Sequence, residues 1–335
     1  MQTRERLGYV DFMRGVAIIL VVVGHMIQFN GVETSNAVFE VIYSFHMPLF
    51  FAISGYITQK VTRLESVRQY GGYMKKKVIS ILVPYMVWLL LADHYLLAEH
   101  WETLTAAEVW HCITGWTGLW FLKTLFIILV GYGLFNLVLN KFKRVRVLAL
   151  AVAFIPVAVI SAAIVALKVE GANLFMYSYT FYLGVMLSLF PRADEWCMKD
   201  LPYSTFFLVF MVLVTHWSFD NRVMADDVIK VGVSTSAFVL LLGLSRKLNV
   251  NPMVNNEIQR FGRNSMIIYI LQFHLVKLHT GFLAFVNEGG GWNQYIFLLA
   301  CVLASVPICY LCIFFAKCIG TSRLLSLLLL GKRNG

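Results

Sequence analysis

Tyr9-Val-Asp-Phe-Met-Arg-Gly-Val-Ala-Ile-Ile-Leu-Val-Val-Val-Gly-His25 reads as an apolar helix that carries three charged or titratable groups. At about 100° per residue, the eleven steps from Arg14 to His25 make three turns plus roughly 20°. The two side chains therefore share a face, about 16 Å apart along the axis. Asp11 lies on the same stripe, about 40° to the other side of His25 and about 21 Å from it. Ionisable groups aligned inside an apolar helix are costly in lipid. They belong against protein or in a wet cavity, and they mark a functional site.

The rest of the chain suits such a helix. Of its 335 residues 59% are hydrophobic and 14% charged, against about 25% charged in ordinary soluble domains. The fold class is therefore all-α: a polytopic integral membrane bundle. A spanning helix needs about 20 mostly apolar residues. Ten stretches qualify: 9–28, 37–59, 78–97, 118–140, 147–167, 173–190, 202–217, 227–245, 264–284 and 293–317. The intervening loops, among them 60–77 with its final Lys75-Lys76-Lys77, alternate in basic residues. Twenty-two of the 28 Lys and Arg fall in the N-terminal segment, 60–77, 141–146, 191–200, 246–263 and the tail from Lys317. Positive segments mark the cytoplasmic side, so both termini are expected there. The net charge of +10 is then a topology signal, and nucleic acid is not an expected partner. Arg4 and Arg6 open the chain like a signal peptide, but Gly24-His25-Met26-Ile27-Gln28 is no small-residue cleavage site. The first span reads as retained. No repeat or long linker interrupts 1–335, which reads as one domain.

Further polar groups sit at membrane depth. Pro48 removes an amide hydrogen from the second span and leaves the Ser44 carbonyl in need of another partner. His46 beside it is either a core histidine or a second site residue. Ser54-Gly55 permits close helix approach. Lys123 lies about two turns into its span, where a cavity suits it better than lipid. Tyr269 and Gln272, three residues apart, share a face, while His274 points about 140° away. Lys230 has Asp226 at i−4, a structural pair. The external stretch 93–117 is rich in His, acidic and Trp residues, but its spacings fit no metal-ligand pattern. Its rings suit an interfacial belt or a stacking surface for a sugar. The cysteines, including Cys309-x-x-Cys312, read as core packing.

Asp11, Arg14 and His25, with Phe45-His-Met-Pro-Leu-Phe-Phe-Ala-Ile-Ser-Gly-Tyr56, resemble the membrane acyltransferase family three. Arg, ten residues, then His is that family's signature. Lys75-Lys-Lys-Val-Ile-Ser-Ile-Leu-Val-Pro-Tyr85, Leu119-Trp-Phe-Leu122 and Asn264-Ser-Met-Ile-Ile-Tyr269 are similar to its later motifs. The resemblance covers essentially the whole chain. It implies an enzyme of the plasma (inner) membrane that moves an acyl group, usually acetyl, from cytosolic acyl-CoA to a carbohydrate hydroxyl. His25 carries over as the catalytic histidine and Arg14 as the essential arginine at the donor end. Asp11, one turn from Arg14, fixes that arginine, and His46 joins the catalytic set. Lys75, Lys76, Lys77, Tyr85, Trp120, Lys123, Tyr269 and Gln272 are the candidates for substrate binding. The lysine run faces either anionic lipid head groups or the donor's phosphates. One departure stands out: the family often has His three residues after the Tyr of the ninth span, and here that residue is Gln272. The expected partners are acyl-CoA as donor substrate, a glycan or lipid-linked sugar, and membrane lipids, with no permanently bound cofactor and no metal. The competing reading is a transporter of a small polar or acylated solute, against which stands the lack of an internal repeat.

Overall fold

The computed structural model describes residues 7–30, 37–89, 105, 119–141, 174–219, 224–247, 250–277 and 292–332. The expected span 147–167 and most of the external stretch 93–117 lie outside the described residues. All regular structure within them is helical. In chain order the helices are α1 (Gly8–Phe29), α2 (Ala37–Val61), α3 (Val67–Lys77), α4 (Val83–Trp88) and α5 (Trp120–Lys141). There follow α6 (Leu174–Leu189), α7 (Pro191–Cys197), α8 (Asp200–Val214) and α9 (Met224–Lys247). The last four are α10 (Pro252–Arg263), α11 (Ser265–Leu271), α12 (Trp292–Ile319) and α13 (Arg323–Leu330).

Among the described residues five helices are long and apolar enough to cross a membrane: α1, α2, α5, α9 and α12. A sixth is reached if α7 and α8, bent by 70° at their junction, count as one span. This is a helical membrane protein. Two expectations change. Lys75–Lys77 do not lie in a loop: Ser66 Oγ accepts from the Gln69 amide and starts α3, which carries all three lysines. A π-helical turn (Val78–Leu82) then joins α3 to α4. Widening the turn just before Pro84 accommodates a residue that has no amide hydrogen to give. The ninth span is also not one continuous helix. α11 tightens into a 3₁₀ turn at Gln272–His274 and leaves the helix at Leu275.

The chain forms two compact units. The first comprises Met1–Ile57 and Thr180–Phe315. Here 78% of the apolar window of α1 is buried, against 39% for α12, whose Leu299, Leu303 and Phe314 point outward as lipid-facing residues do. α1 crosses α10 at bare backbone. A Cβ on Gly15 would stand 2.0 Å from the Ile258 carbonyl oxygen, and one on Gly262 1.7 Å from that of Asp11. α2 and α6 cross the same way, with Gly55 against the Phe181 carbonyl and Gly184 against that of Ala52, each at 1.9 Å. Small residues at both crossings let the backbones touch.

The second unit comprises Thr58–Tyr179 and Ala316–Gly335. α5 pins the segment after α2. The Leu64 amide donates to Asn136 Oδ1 (2.8 Å), and Asn140 Nδ2 donates to the Leu64 carbonyl (3.1 Å). Tyr132 Oη in turn donates to Gln59 Oε1 at 2.9 Å. α13 rests on α4 through Trp88 Nε1, which donates to the Leu329 carbonyl (2.9 Å). Gly331 closes α13 at φ 62°, the left-handed cap that glycine adopts without strain.

Candidate active site

His25 sits in the last two turns of α1 and is 9% exposed. The Phe273 and Phe29 rings lie 4.8 and 5.7 Å from its imidazole, centre to centre. Its Nδ1 stands 2.7 Å from the side-chain nitrogen of Gln272, which is fully buried where α11 tightens. Asn30, the residue after α1, donates from Nδ2 to the carbonyls of Met26 and Val276, both at 2.7 Å. The end of α1 is thereby tied to the backbone beyond Gln272, and the imidazole and the carboxamide are held in register.

His46 is 3% exposed on α2. Its Nδ1–H donates to the Ile42 carbonyl at 2.8 Å. A carbonyl only accepts, so the neutral ring keeps its lone pair on Nε2. The Tyr43 ring packs 4.6 Å from it, and Tyr43 Oη donates to Gln28 Oε1 on α1. His25 and Lys230 both lie within electrostatic reach of His46. The Ser44 carbonyl that Pro48 frees finds Ser234 Oγ of α9 at 3.4 Å. Lys230 Nζ rests 4.9 Å above the Trp217 ring.

Asp11, 6% exposed, and Arg14, half-buried, occupy the other end of α1, beside the glycine crossing with α10. Across that crossing, Glu257 accepts from Tyr310 Oη (2.7 Å) and Arg260 Nη1 (3.2 Å). Nearby lies a cluster that sequence reasoning missed. Arg246 donates from both terminal nitrogens to Asp194, at 3.0 and 2.9 Å, and also to Tyr56 Oη. Tyr56 Oη donates to Asp194 at 3.0 Å, and the guanidinium stacks 5.1 Å over the Tyr9 ring. This bidentate pair ties α2, α7 and α9 to the start of α1. Asp194→Asn leaves the guanidinium without its counter-charge. Breaking a buried pair costs about 3–5 kcal/mol, and Arg246 retains 27% side-chain exposure, so the lower end applies. Thermal unfolding in detergent should show a clear drop, with yield falling alongside.

Tyr269, 4% exposed, meets the Phe273 ring edge-on at 5.8 Å. The structure thus gathers His25, Gln272 and Tyr269 around Phe273, while His274 is exposed. In the second unit Lys75 and Lys76 are exposed and Lys77 is half-buried, its Nζ 5.4 Å from the Tyr73 ring. Lys76, Lys77, Arg63, Gln69, Tyr73 and Ser80 help to line an open cavity of about 490 Å³. Tyr85 is buried on α4. Trp120 lies 5.1 Å from Tyr177, the rings inclined by 32°, and Lys123 is half-buried one turn further on. Cys197, Cys301, Cys309 and Cys312 are buried free thiols. Among the described residues, no group of three or more His, Cys, Asp or Glu is placed to hold a metal ion.

The chain is similar to two curated proteins, each named Nodulation protein NolL. That of Sinorhizobium fredii is 36% identical over 104 residues, 29% of this chain and 27% of the relative. That of Mesorhizobium japonicum is 36% identical over 83 residues, 23% of this chain and 21% of the relative. The matched region thus spans about a quarter of the length of these relatives. No solved structure matches the chain. A family model described as an acyltransferase domain, Acyl_transf_3, matches residues 7–314. Since that match takes in Asp11, Arg14, His25, His46 and Gln272, and nearly the whole chain with them, the protein belongs to the membrane acyltransferase family three.

Proposed function

We propose that the protein is an acyl-CoA-dependent O-acyltransferase of the plasma (inner) membrane, which moves an acetyl group to a hydroxyl of an envelope or exported carbohydrate. Residues 1–335 act as one transmembrane domain of ten spans with both termini in the cytoplasm. The observation that carries this reading is α1 itself. Asp11 is buried and Arg14 half-buried at one end, and His25 is buried against Gln272 at the other. Arg14 takes a donor phosphate, for which its planar fork is suited. The pantetheine arm runs along α1 and brings the thioester about 16 Å further, to His25.

His25 acts as general base. The acceptor oxygen attacks the thioester carbonyl carbon while its proton passes to the imidazole. The C–S bond then breaks and the proton leaves on the CoA sulfur. A histidine suits this exchange near neutral pH. Tyr269 shares the Phe273 ring with His25, which favours it over Lys123 as donor to the oxyanion. The Nδ1–H of His46 is spent on Ile42, so neutral His46 accepts rather than donates. The concave setting of Arg63, Lys76 and Lys77 favours donor phosphates, while exposed Lys75 is left to anionic head groups. Trp120 with Tyr177 offers aromatic faces to a sugar.

Purified protein in liposomes, given labelled acetyl-CoA and glycan acceptors, is expected to release free CoA thiol and form a labelled ester. Arg14→Lys should raise the KM for acyl-CoA about tenfold, with a smaller change in kcat per folded molecule. Solute counterflow without acyl chemistry would overturn the reading in favour of an exporter, and an unchanged KM would remove Arg14 from the donor site.

A further inference from the structure

Gln272 is fully buried, its Nε2 stands 2.7 Å from His25 Nδ1, and its Oε1 has no hydrogen-bond partner among the described residues. Which end of a carboxamide faces a histidine decides which ring nitrogen carries the proton. An N–H given to Nδ1 puts the ring proton on Nε2. An oxygen that accepts from Nδ1–H leaves the lone pair on Nε2. His46 offers the contrast, because the Ile42 carbonyl allows one tautomer alone.

Either orientation of the amide leaves one of its ends without a partner among the described residues, so counting hydrogen bonds there does not choose between them. The chemistry of His25 does. Nδ1 is occupied in both cases, so Nε2 is the nitrogen left for a hydroxyl, and a base needs its lone pair there. We propose, resting on the acyl-transfer reading above, that Gln272 is the positioning residue for His25. Its Oε1 accepts the Nδ1–H and keeps Nε2 bare for the acceptor. As the new C–O bond forms, the hydroxyl proton moves to Nε2 and Gln272 keeps Nδ1–H. The Nε2 proton then leaves with the thiolate as C–S breaks. This is the orienting task of the carboxylate in a Ser-His-Asp triad, performed by a neutral group. Neutrality suits a buried site, where an added charge would be costly. The clamp is supported from both sides, by Asn30 bridging Met26 and Val276 and by the Phe273 ring.

The test is ¹⁵N NMR of histidine-labelled protein in nanodiscs, recorded where the ring is neutral. The His25 resonances are assigned by their loss in His25→Gln. The expected wild-type spectrum shows a protonated Nδ1 and a bare Nε2, and Gln272→Met shows a tautomer mixture. In parallel, Gln272→Met should lower kcat about 10²-fold with little change in the acyl-CoA KM, and Gln272→Glu, which keeps an acceptor oxygen, should return kcat to within about tenfold of wild type. A proton on Nε2 in the wild type overturns the inference, and that spectrum decides even where Gln272→Met fails to fold. Wild-type turnover in Gln272→Met beside an inactive His25→Gln also overturns it. Should His25→Gln itself turn over normally, the base assignment falls first and this inference with it.

Discussion

Replacing His25 with alanine is expected to lower acyl transfer by about 10²–10⁴-fold per folded molecule, the range that a general base contributes. The residual rate reflects what the variant keeps: donor binding, and any hydrogen bond to the oxyanion. The KM for acyl-CoA should move little, because Arg14, proposed to take a donor phosphate, lies about 16 Å away along the helix. Alanine also leaves a space between Phe29 and Phe273 and strips Gln272 of its ring partner. Some loss of stability is therefore expected, and the rate must be taken per folded protein. His25→Gln separates the two effects. It fills more of the space and still forms hydrogen bonds, but it takes up no proton at working pH. Equal loss in both variants identifies proton transfer as the missing step. Near wild-type turnover by His25→Gln would show that the imidazole is not the base.

The sequence made α1 readable because the signal is periodic and local. The spacing of Asp11, Arg14 and His25 set their shared stripe, and the burial of Asp11 and His25 agrees with it. The long apolar spans α1, α2, α5, α9 and α12 were legible for the same reason, since length and hydropathy need no partner. Shorter elements were less so. A hydropathy window sees where α4 turns apolar but not that α3 leads into it as a polar helix, so Lys75–Lys77 read as a loop. Gln272 drew notice as a polar group at depth, yet nothing local ties it to a histidine 247 residues away. Arg246 counts among the cytoplasmic charges of 246–263, and Asp194 lies in the segment 191–200 outside the expected spans with no local signal to single it out. Their bidentate pair, 52 residues apart, exists through tertiary packing alone. Gly55 was readable as a place for close approach. Its reciprocal partner Gly184 was not, because the carbonyl each meets belongs to another helix.

Gly262→Ala is expected to destabilise the protein by at least about 3 kcal/mol, the top of the usual range for overpacked cores. The new methyl would stand 1.7 Å from the Asp11 carbonyl oxygen and 2.8 Å from the Gly15 amide nitrogen. Both are backbone atoms of α1, so no rotamer change relieves the clash. α10 must lift off α1, and Gly15, pressed on the Ile258 carbonyl from the opposite side, must lift with it. The same substitution at Gly71 of α3 meets nothing within 4 Å. There the gain in helix propensity should stabilise by about 0.5–1 kcal/mol. The two variants differ by one methyl each and should move thermal unfolding in opposite directions. The damaging one also reaches function: the contact lies on the turn that carries Asp11, so Gly262→Ala protein that survives purification should bind acyl-CoA more weakly while its His25-dependent step changes less. A Gly262→Ala protein that melts with the wild type would mean that α10 does not press on α1, and the fixed position of Arg14 would lose its physical basis.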